Sequence, residues 1–434
     1  MRINNESCLK ILKKYLSSYR HIFHKRSFEI FLLIIISIIV MQKMQSIKFI
    51  YEKFISKFWD KSLNSIYFFL KSDQYSLEEM IRTTTRIAIS IIPKELRKRV
   101  TVYLIVDDTL QPKFGEKFDN RYKLFDHAKH NGTLYMNGHQ IVSIAMAIPI
   151  FQNNGIRYIT IPLGYKLYDK TATKLELAKN LVCAVMPELT DSQVIILCDS
   201  WYTKKNFLEV LSEYDNLKVI GGLRSDTALY DLKPKPTGKR GRPRKKGDRL
   251  DYKNFEFHEE KDFFVATVKC MTNLFKDPVF ITVTTTDIEK FSSVRMYLST
   301  VAIDEVKVKY NKDEKKKKLN LYDIYKLRWS IEVIFYEQKT FWSFGQYMVR
   351  RKIAIEKYIN LIGVAYSAMI LIPFINKSFE EFQFCSPQET KYAFGERIRQ
   401  DLILCNLLKI PQIKENLSHI LELRPFRGID NLAS

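Results

Sequence analysis

The run Gln193-Val-Ile-Ile-Leu-Cys-Asp199 decides which fold class the sequence predicts. Five apolar residues in succession are typical of a strand that is covered on both faces of its sheet. A second apolar run, residues 101–107, also ends in an acid. A helical pattern lies between the two runs, at residues 174–189, and another follows the second run, at about 204–214. Strands that alternate with helices predict an α/β fold.

The chain as a whole divides into three parts. Residues 1–97 carry apolar residues at helical spacing with cations between them, so we predict a helical domain there. Residues 98–378 contain the strand patterns, with a β-rich insertion expected at about 223–320 and an apolar helix at about 353–372. Residues 379–434 are predicted to form a tail of short helices. The other predicted strands cover residues 140–150, 157–163, 217–221, 252–258, 263–270, 279–285 and 295–301.

The composition favours a polyanionic partner. The chain has 434 residues, with 70 Lys and Arg against 48 Asp and Glu, and a formal net charge of +22. Phosphate backbones attract such a surface whatever their base sequence, although a basic surface can also be merely solvated. The six cysteines include no C-x-x-C pair, so we expect neither a zinc site nor a disulfide framework. This cysteine usage suits a reducing cytoplasm.

One apolar run, residues 30–41, raises the question of a membrane segment. It is shorter than the ~20 residues that a spanning helix needs. It also begins too far along the chain, and lacks the small-residue cleavage site, to be a signal peptide. We therefore expect a buried helix of an N-terminal bundle and no membrane partner, with a membrane anchor as the alternative.

The stretch Tyr325-Lys-Leu-Arg-Trp-Ser-Ile-Glu-Val-Ile-Phe-Tyr-Glu-Gln-Lys339 carries chemical groups at helical spacing. Four polar side chains would share a sector of about 60° on such a helix: Tyr325, Arg328, Glu332 and Lys339. The opposite side is apolar and should face the core: Ile324, Leu327, Ile331, Ile334 and Trp342. Because carboxylates hold hard metal ions and Arg and Lys hold phosphate, the polar face predicts a surface for cutting or joining nucleic acid. A solvated Arg–Glu pair on an ordinary amphipathic helix is the simpler alternative.

Two further acids, Asp107 and Asp199, follow the two apolar runs. Open α/β sheets bind ligands at the carboxyl ends of their strands, so we expect both acids to converge with Glu332. Three carboxylates repel one another unless cations neutralise them, and two Mg2+ ions about 3.5–4 Å apart would do so. We predict these three acids as catalytic and metal-binding residues. Asp108 remains an alternative to Asp107. Asp107 could instead lie in a turn after its strand, and Asp199 in the N-cap region of the following helix.

With these acids placed, the chain resembles the DDE-type insertion-sequence transposases of bacteria, and more narrowly the family with the Tyr-Arg-Glu-Lys signature. The resemblance is carried by Val106-Asp107-Asp108-Thr109, by Leu197-Cys198-Asp199-Ser200-Trp201-Tyr202 and by the complete signature at residues 325–339. It covers about residues 100–375. It implies a ribonuclease-H-like catalytic domain with a β-rich insertion between its fifth strand and the helix that carries the glutamate.

The resemblance also implies a function and its partners. Such a transposase cleaves double-stranded DNA at the ends of its element and joins those ends to target DNA, using two Mg2+ ions, for which Mn2+ can substitute. Tyr325, Arg328 and Lys339 would contact phosphates near the element end. The helices of residues 1–97 would recognise the terminal inverted repeats, and a homodimer would pair the two ends in the cytoplasm, on the nucleoid. The alternatives are a non-transposing nuclease of the same fold and a non-catalytic DNA-binding relic.

Three arginines outside the signature are further candidates for DNA contacts. The segment at residues 239–246 resembles an AT-hook core, in which Arg240 and Arg242 would enter a narrow minor groove. The alternative is a basic loop that touches phosphates without sequence preference. Arg224 follows a predicted strand and is a candidate phosphate contact.

Two tryptophans and three histidines lie near the predicted chemistry. Trp201 and Trp329 could each stack on a base, although core packing is the more common fate of such residues. The histidines lack a metal-ligand pattern with cysteine, so we interpret them as structural: His127, His130 and His139.

Overall fold

The structure is a computed structural model that describes residues 7–126, 132–152, 155–234, 244–260, 263–306 and 321–407. Twelve strands are assigned within these ranges. They are β1 (Thr101–Pro112), β2 (Tyr122–Phe125), β3 (Tyr135–Gln152), β4 (Gly155–Leu167), β5 (Gln193–Cys198), β6 (Leu217–Leu223), β7 (Leu229–Tyr230), β8 (Arg249–Leu250), β9 (His258–Glu260), β10 (Phe263–Cys270), β11 (Val279–Thr285) and β12 (Arg295–Ser299).

Ten of these strands form one central sheet. Its order is β2-β3-β1-β5-β6-β12-β11-β10-β9, and β4 also pairs with β3. β1 runs parallel to β5, and β5 runs parallel to β6, whereas β3 is antiparallel to both β1 and β4. This mixed sheet, with many helices in the same fold, confirms the α/β class.

β1 is longer than the sequence suggested. Its parallel ladder with β5 ends at Val106 opposite Cys198, but β1 continues along β3 to Pro112. The expectation that the strand ends at Asp107 is therefore wrong, because the residues beyond it still find backbone partners in β3. Asp107 and Asp199 each follow the last residue pair of the β1–β5 ladder, so both acids lie at the same edge of that ladder.

The strands of the predicted insertion extend the central sheet beyond β6. β12, β11, β10 and β9 follow one another there in antiparallel pairing. The strands predicted at residues 263–270, 279–285 and 295–301 are confirmed, but the strand at 252–258 is wrong. A 3-10 turn, Tyr252–Asn254, replaces its start, because the Asp251 side chain accepts a hydrogen bond from a backbone N–H two residues later. β2, β7 and β8 were not predicted, since each has only two to four residues.

Thirteen α-helices are assigned within the described residues, and seven of them precede β1. They are α1 (Cys8–Leu16), α2 (Lys25–Val40), α3 (Ile47–Ile50), α4 (Ser56–Phe58), α5 (Leu63–Lys71), α6 (Leu77–Ser90), α7 (Lys94–Arg97), α8 (Lys174–Val185), α9 (Lys205–Leu208), α10 (Leu321–Lys326), α11 (Ser330–Phe341), α12 (Lys352–Ile375) and α13 (Pro387–Leu407).

The N-terminal helices share a hydrophobic core with the C-terminal ones. α2 contains most of the apolar run at residues 30–41, and it packs against α12 and α13 with its apolar side chains buried. The Arg399 side chain donates to the Val40 carbonyl oxygen over 3.0 Å. The prediction of a buried helix is thus confirmed. The domain boundaries at residues 97 and 378 stay predictions.

α12 covers the edge strand β4. The Asn360 side chain accepts a hydrogen bond from the Tyr165 N–H over 3.1 Å, and Glu356 accepts one from the Leu167 N–H over 2.9 Å. These bonds satisfy backbone groups that an edge strand otherwise leaves open. Among the described residues, α12 is also the one helix long and apolar enough to cross a membrane. Because 83% of its most apolar window is buried in the fold, it equally fits the core helix of a globular protein.

Gly222 in β6 allows α10 to approach the sheet. A Cβ atom at this position would lie 2.9 Å from the Tyr325 hydroxyl oxygen and 3.1 Å from the Ser200 backbone nitrogen. The hydroxyl cannot move away freely, because it donates a hydrogen bond to the Cys198 carbonyl. We expect Gly222→Ala to lower the free energy of unfolding by about 1–3 kcal/mol through overpacking. Urea unfolding of the variant and the wild type measures this loss.

The same substitution in a Tyr325→Phe background is the matched control. Phe lacks the hydroxyl oxygen nearest to the new methyl group, so Gly222→Ala should cost less in that background. An equal loss in the two backgrounds would contradict the contact as its cause.

Candidate active site

α10 and α11 form an interrupted helix that carries the 325–339 stretch. A 3-10 turn, Leu327–Trp329, separates the two helices, so the predicted single helix has a break at its centre. The apolar side faces the core as predicted, and its fully buried members are Ile324, Ile331, Ile334 and Trp342. This apolar side fixes the rotation of the helices against the rest of the fold.

The polar side of α10 and α11 lies against the sheet edge. The Tyr325 hydroxyl donates to the Cys198 carbonyl oxygen over 3.1 Å. The Lys339 ammonium donates to the Thr109 hydroxyl over 2.6 Å and to the Leu110 carbonyl over 2.9 Å, and burial lowers the pKa of this lysine. The hydrogen bonds of both side chains therefore hold the helix pair against β1 and the end of β5. Their predicted DNA contacts would have to replace these bonds.

The outward side of α10 and α11 carries exposed aromatic rings. Trp329 is 64% exposed and Tyr336 is 63% exposed, with Val333 between them. Trp201, after β5, is 37% exposed. Core packing of the two tryptophans, the more common fate for such residues, is therefore wrong for this chain. At helical spacing Trp329 lies on the side opposite the apolar residues, so the sequence alone could have predicted that it is exposed.

Asp107 lies at the centre of the candidate site and is buried. Its Oδ2 accepts a hydrogen bond of 2.7 Å from Nη1 of Arg328, and the same guanidinium nitrogen lies 3.6 Å from Oε1 of Glu332. Burial raises the pKa of Asp107 to about 8, and the charges of Glu332 and Asp199 act in the same direction, while Arg328 opposes them. The three predicted acids therefore share one electrostatic environment, centred on Asp107.

Asp199 follows β5 and is fixed by its own backbone turn. Its Oδ1 accepts hydrogen bonds from the N–H groups of Trp201 and Tyr202 over 3.0 and 3.1 Å. The alternative prediction, that Asp199 lies in the N-cap region of the following helix, is wrong, because α9 begins at Lys205 and Lys204 is its N-cap. The same bonds hold the carboxylate still at the edge of the β1–β5 ladder, so a structural role and a metal-binding role are compatible.

Asp108 has a different set of partners. Its carboxylate accepts hydrogen bonds from the Lys174 ammonium over 3.1 Å and from the Tyr202 hydroxyl over 2.8 Å, and it also accepts from the Gln140 amide. Successive strand residues point to opposite faces, which separates Asp108 from Arg328 and Glu332. These contacts favour Asp107 as the acid of the candidate site. Sequence reasoning missed Lys174 and Gln140, because nothing in their local pattern marks them.

The donor chemistry of the three acids fits a divalent cation. Carboxylate oxygens are the ligands that Mg2+ prefers, and three negative charges need compensation. In the described part of the chain, however, no three His, Cys, Asp or Glu side chains are already gathered as a ligand set. The Arg328 guanidinium supplies the compensating charge in this arrangement, beside Asp107 and Glu332. Cation binding would require that guanidinium to move.

The remaining predicted site residues lie elsewhere or outside the described ranges. Arg224 is exposed and pairs with Asp226 over 2.9 Å. Arg240 and Arg242 lie outside the described residues. His139 is buried between the Tyr347 hydroxyl and the Asp119 carbonyl, which confirms its structural role. His127 and His130 also lie outside the described residues.

Comparison with known proteins gives one family match. Residues 168–264 match the family model described as DDE superfamily endonuclease. The matched segment is under a quarter of the chain and includes Asp199, but it contains neither Asp107 nor the 325–339 stretch. The match supports a DDE-type transposase or endonuclease family, and with it a nuclease-type enzyme. Endonucleases of this superfamily typically use divalent metals. No curated protein sequence matches the chain.

Removing Arg328 should expose the repulsion among the acids. We expect Arg328→Gln to lower the free energy of unfolding by about 2–3 kcal/mol at about pH 9, above the raised pKa of Asp107, because it leaves that charged carboxylate buried without its partner. Asp107 then takes up a proton more readily. Since a raised carboxyl pKa makes stability fall as the pH rises towards that pKa, the loss should be larger at about pH 9 than at about pH 6. Thermal or urea unfolding at the two pH values measures it.

Two further variants identify the cause of that loss. Asp107→Asn in the Arg328→Gln background should recover part of the stability at about pH 9, because it removes the unpaired charge. Arg224→Gln breaks an exposed ion pair and should change stability little. Equal losses for Arg328→Gln and Arg224→Gln would contradict the importance of the buried pair.

Proposed function

We propose that this protein is a DDE transposase of a bacterial insertion sequence, which cleaves DNA at the element ends and joins those ends to target DNA. One observation carries the proposal. Asp107 and Asp199 follow the last pair of one parallel ladder, and Arg328, in the turn before α11, bonds to Asp107 and lies 3.6 Å from Glu332, whose charge acts on Asp107 together with that of Asp199. The family match at residues 168–264 supports the nuclease chemistry from an independent direction.

The strand arrangement supports a ribonuclease-H-like catalytic domain. β1, β3, β4, β5 and β6 form its core, with β1, β5 and β6 parallel and β3 antiparallel to β1. The extra strands β7 to β12 follow β6, the fifth core strand, and precede the helices with Glu332. That order agrees with an insertion between the fifth strand and the glutamate helix.

Asp107, Asp199 and Glu332 would hold two Mg2+ ions, with Mn2+ as a substitute. When bound, such ions activate the attacking oxygen and stabilise the leaving oxygen of a phosphodiester. The backbone turn after β5 keeps the Asp199 carboxylate oriented for this role. Asp107 is buried, and a buried carboxylate without a partner is costly, so its surroundings favour pairing with a cation. No histidine is required as a general base.

The same helix pair would grip the DNA backbone. Arg328 has several N–H donors in a planar fork that matches phosphate, and it would exchange Asp107 for a phosphate oxygen. Lys339 lies about 10 Å further along the helix axis than Glu332, so it would meet a phosphate away from the acids. Tyr325 would contact the same strand. Exposed Arg224 would add a phosphate contact that does not depend on base sequence, and Arg240 and Arg242 would either enter a narrow minor groove or contact phosphates in the same way.

The wider assembly follows from the same proposal. The helices of residues 1–97 would bind the terminal inverted repeats, and two copies of the chain would pair the two element ends. The net charge of +22 supports a polyanionic partner and a location on the nucleoid in the cytoplasm. A non-transposing nuclease is the second candidate, because the family match is described as an endonuclease without reference to transposition. A relic is less favoured, since all three acids are intact.

Cleavage by a variant of Asp199 tests the catalytic assignment. We expect Asp199→Asn to abolish Mg2+-dependent cleavage of a plasmid that carries the element ends, while end binding stays largely intact. The reason is that an amide is a much weaker ligand for Mg2+ than a carboxylate. Asp215→Asn, an exposed acid in the loop before β6, is the matched control and should cleave like the wild type. Full cleavage by Asp199→Asn would refute the assignment.

Joining of cut ends separates the transposase from the nuclease. A duplex with a free 3′-hydroxyl at the element end, incubated with supercoiled plasmid and Mg2+, should become covalently attached to the plasmid. Gel analysis of the labelled duplex measures the product. Plasmid cleavage without any attachment would favour the nuclease, and short inverted repeats flanking the reading frame would favour the transposase.

A further inference from the structure

Trp201 forms a cluster with two lysines directly beside Asp199, in which Trp201 and Lys204 are exposed and Lys174 is partly buried. The ammonium group of Lys174 lies 4.0 Å from the centroid of the Trp201 ring, and that of Lys204 lies 4.4 Å from it. The indole is 37% exposed, and Lys204 is exposed as well. Ammonium groups near an aromatic face are attracted by the ring quadrupole, so the ring holds both cations in place. We call these three residues the Trp201 cluster.

The charges of the Trp201 cluster are only partly compensated. Lys174 donates to both carboxylate oxygens of Asp108 over 3.1 Å. Lys204 pairs with no carboxylate in the part of the chain that the structure describes. Two like charges at one ring repel each other, and only one of them has a counter-charge. The cluster therefore presents a positive charge next to an aromatic surface, which suits an anionic group attached to an apolar or aromatic one.

The backbone connects the Trp201 cluster to the catalytic acid. The Trp201 N–H donates to Oδ1 of Asp199 over 3.0 Å, and the next residue, Tyr202, donates to the same oxygen over 3.1 Å. The Tyr202 ring meets the indole edge to face, with a centroid distance of 5.0 Å, and its hydroxyl donates to Asp108. A ligand on the indole would therefore touch the turn that orients Asp199.

We propose that the Trp201 cluster is a nucleotide subsite for the DNA strand that enters the active site. Lys174 and Lys204 would bind a backbone phosphate, and the adjoining base or sugar would pack on the Trp201 indole. Aromatic rings with neighbouring cations bind nucleic-acid strands in this way, without preference for base sequence. The inference rests on the proposed function, because it takes DNA as the substrate. It adds a contact that the 325–339 stretch does not supply.

Lys204 and its neighbour Lys205 provide a matched pair of variants. Both lysines are exposed, and each substitution by alanine removes one positive charge, but the Lys205 ammonium has no described contact with the ring. Binding is measured by fluorescence anisotropy with a fluorescein-labelled duplex that has a frayed end, in buffer with EDTA. We expect Lys204→Ala to weaken binding about fivefold and to reduce the slope of log K against log salt by about 0.9. Lys205→Ala should change affinity less than twofold.

The ring is tested by two substitutions of Trp201. Trp201→Phe keeps an aromatic surface and should bind the duplex nearly as well as the wild type. Trp201→Leu should lose several-fold in affinity, with thermal unfolding recorded to show that each variant is folded. If the wild type binds and cleaves DNA but the Lys204→Ala and Lys205→Ala variants bind the duplex equally well, the subsite is overturned and the proposed function is not. Failure of the wild type to bind the duplex would overturn the subsite and the proposed function together.

Discussion

The Arg328 guanidinium bonds to the buried Asp107 at one edge of the sheet, where the charges of Glu332 and Asp199 also act on Asp107. Asp107 is buried and bonded to Arg328 over 2.7 Å, while Glu332 lies within 3.6 Å of the same nitrogen. A buried charge of this kind is costly unless it is paired. The rest of the site therefore depends on a cation at this position. The guanidinium fills that requirement in the structure, and divalent ions would fill it in the proposed chemistry.

The fold brings these groups together through two independent devices. The parallel ladder of β1 and β5 aligns Asp107 with Asp199, because both follow its last residue pair. The helix pair α10–α11 carries Glu332. Hydrogen bonds from Tyr325 to the Cys198 carbonyl and from Lys339 to β1 hold this pair in position. DNA contacts by Tyr325 and Lys339 would compete with the hydrogen bonds that hold the glutamate helix. Under the proposed function, DNA binding would therefore be coupled to the geometry of the acids through one helix pair.

The sequence predicted the elements with strong periodicity and missed those fixed by tertiary contacts. The sequence was sufficient to predict the buried run at residues 193–198 and the apolar side of α11, because apolar spacing alone determines them. The end of β1 was not, since only pairing with the distant β3 extends that strand past Asp107. The convergence of the three acids on shared metal ions stays a prediction. The Arg328–Glu332 pair was an alternative in the sequence analysis, but the bond from Arg328 to Asp107 was not predicted. Spacing along a helix specifies a face, whereas the partner across the sheet comes from the fold.

We propose above all that Asp107, Asp199 and Glu332 bind divalent ions in exchange for Arg328. Anomalous diffraction from Mn2+-soaked crystals of the full chain tests it most directly. We expect Mn2+ peaks in contact with the three carboxylates and an Arg328 side chain that has left Asp107. The absence of Mn2+ at these acids, with the bond between Arg328 and Asp107 unchanged, would contradict it.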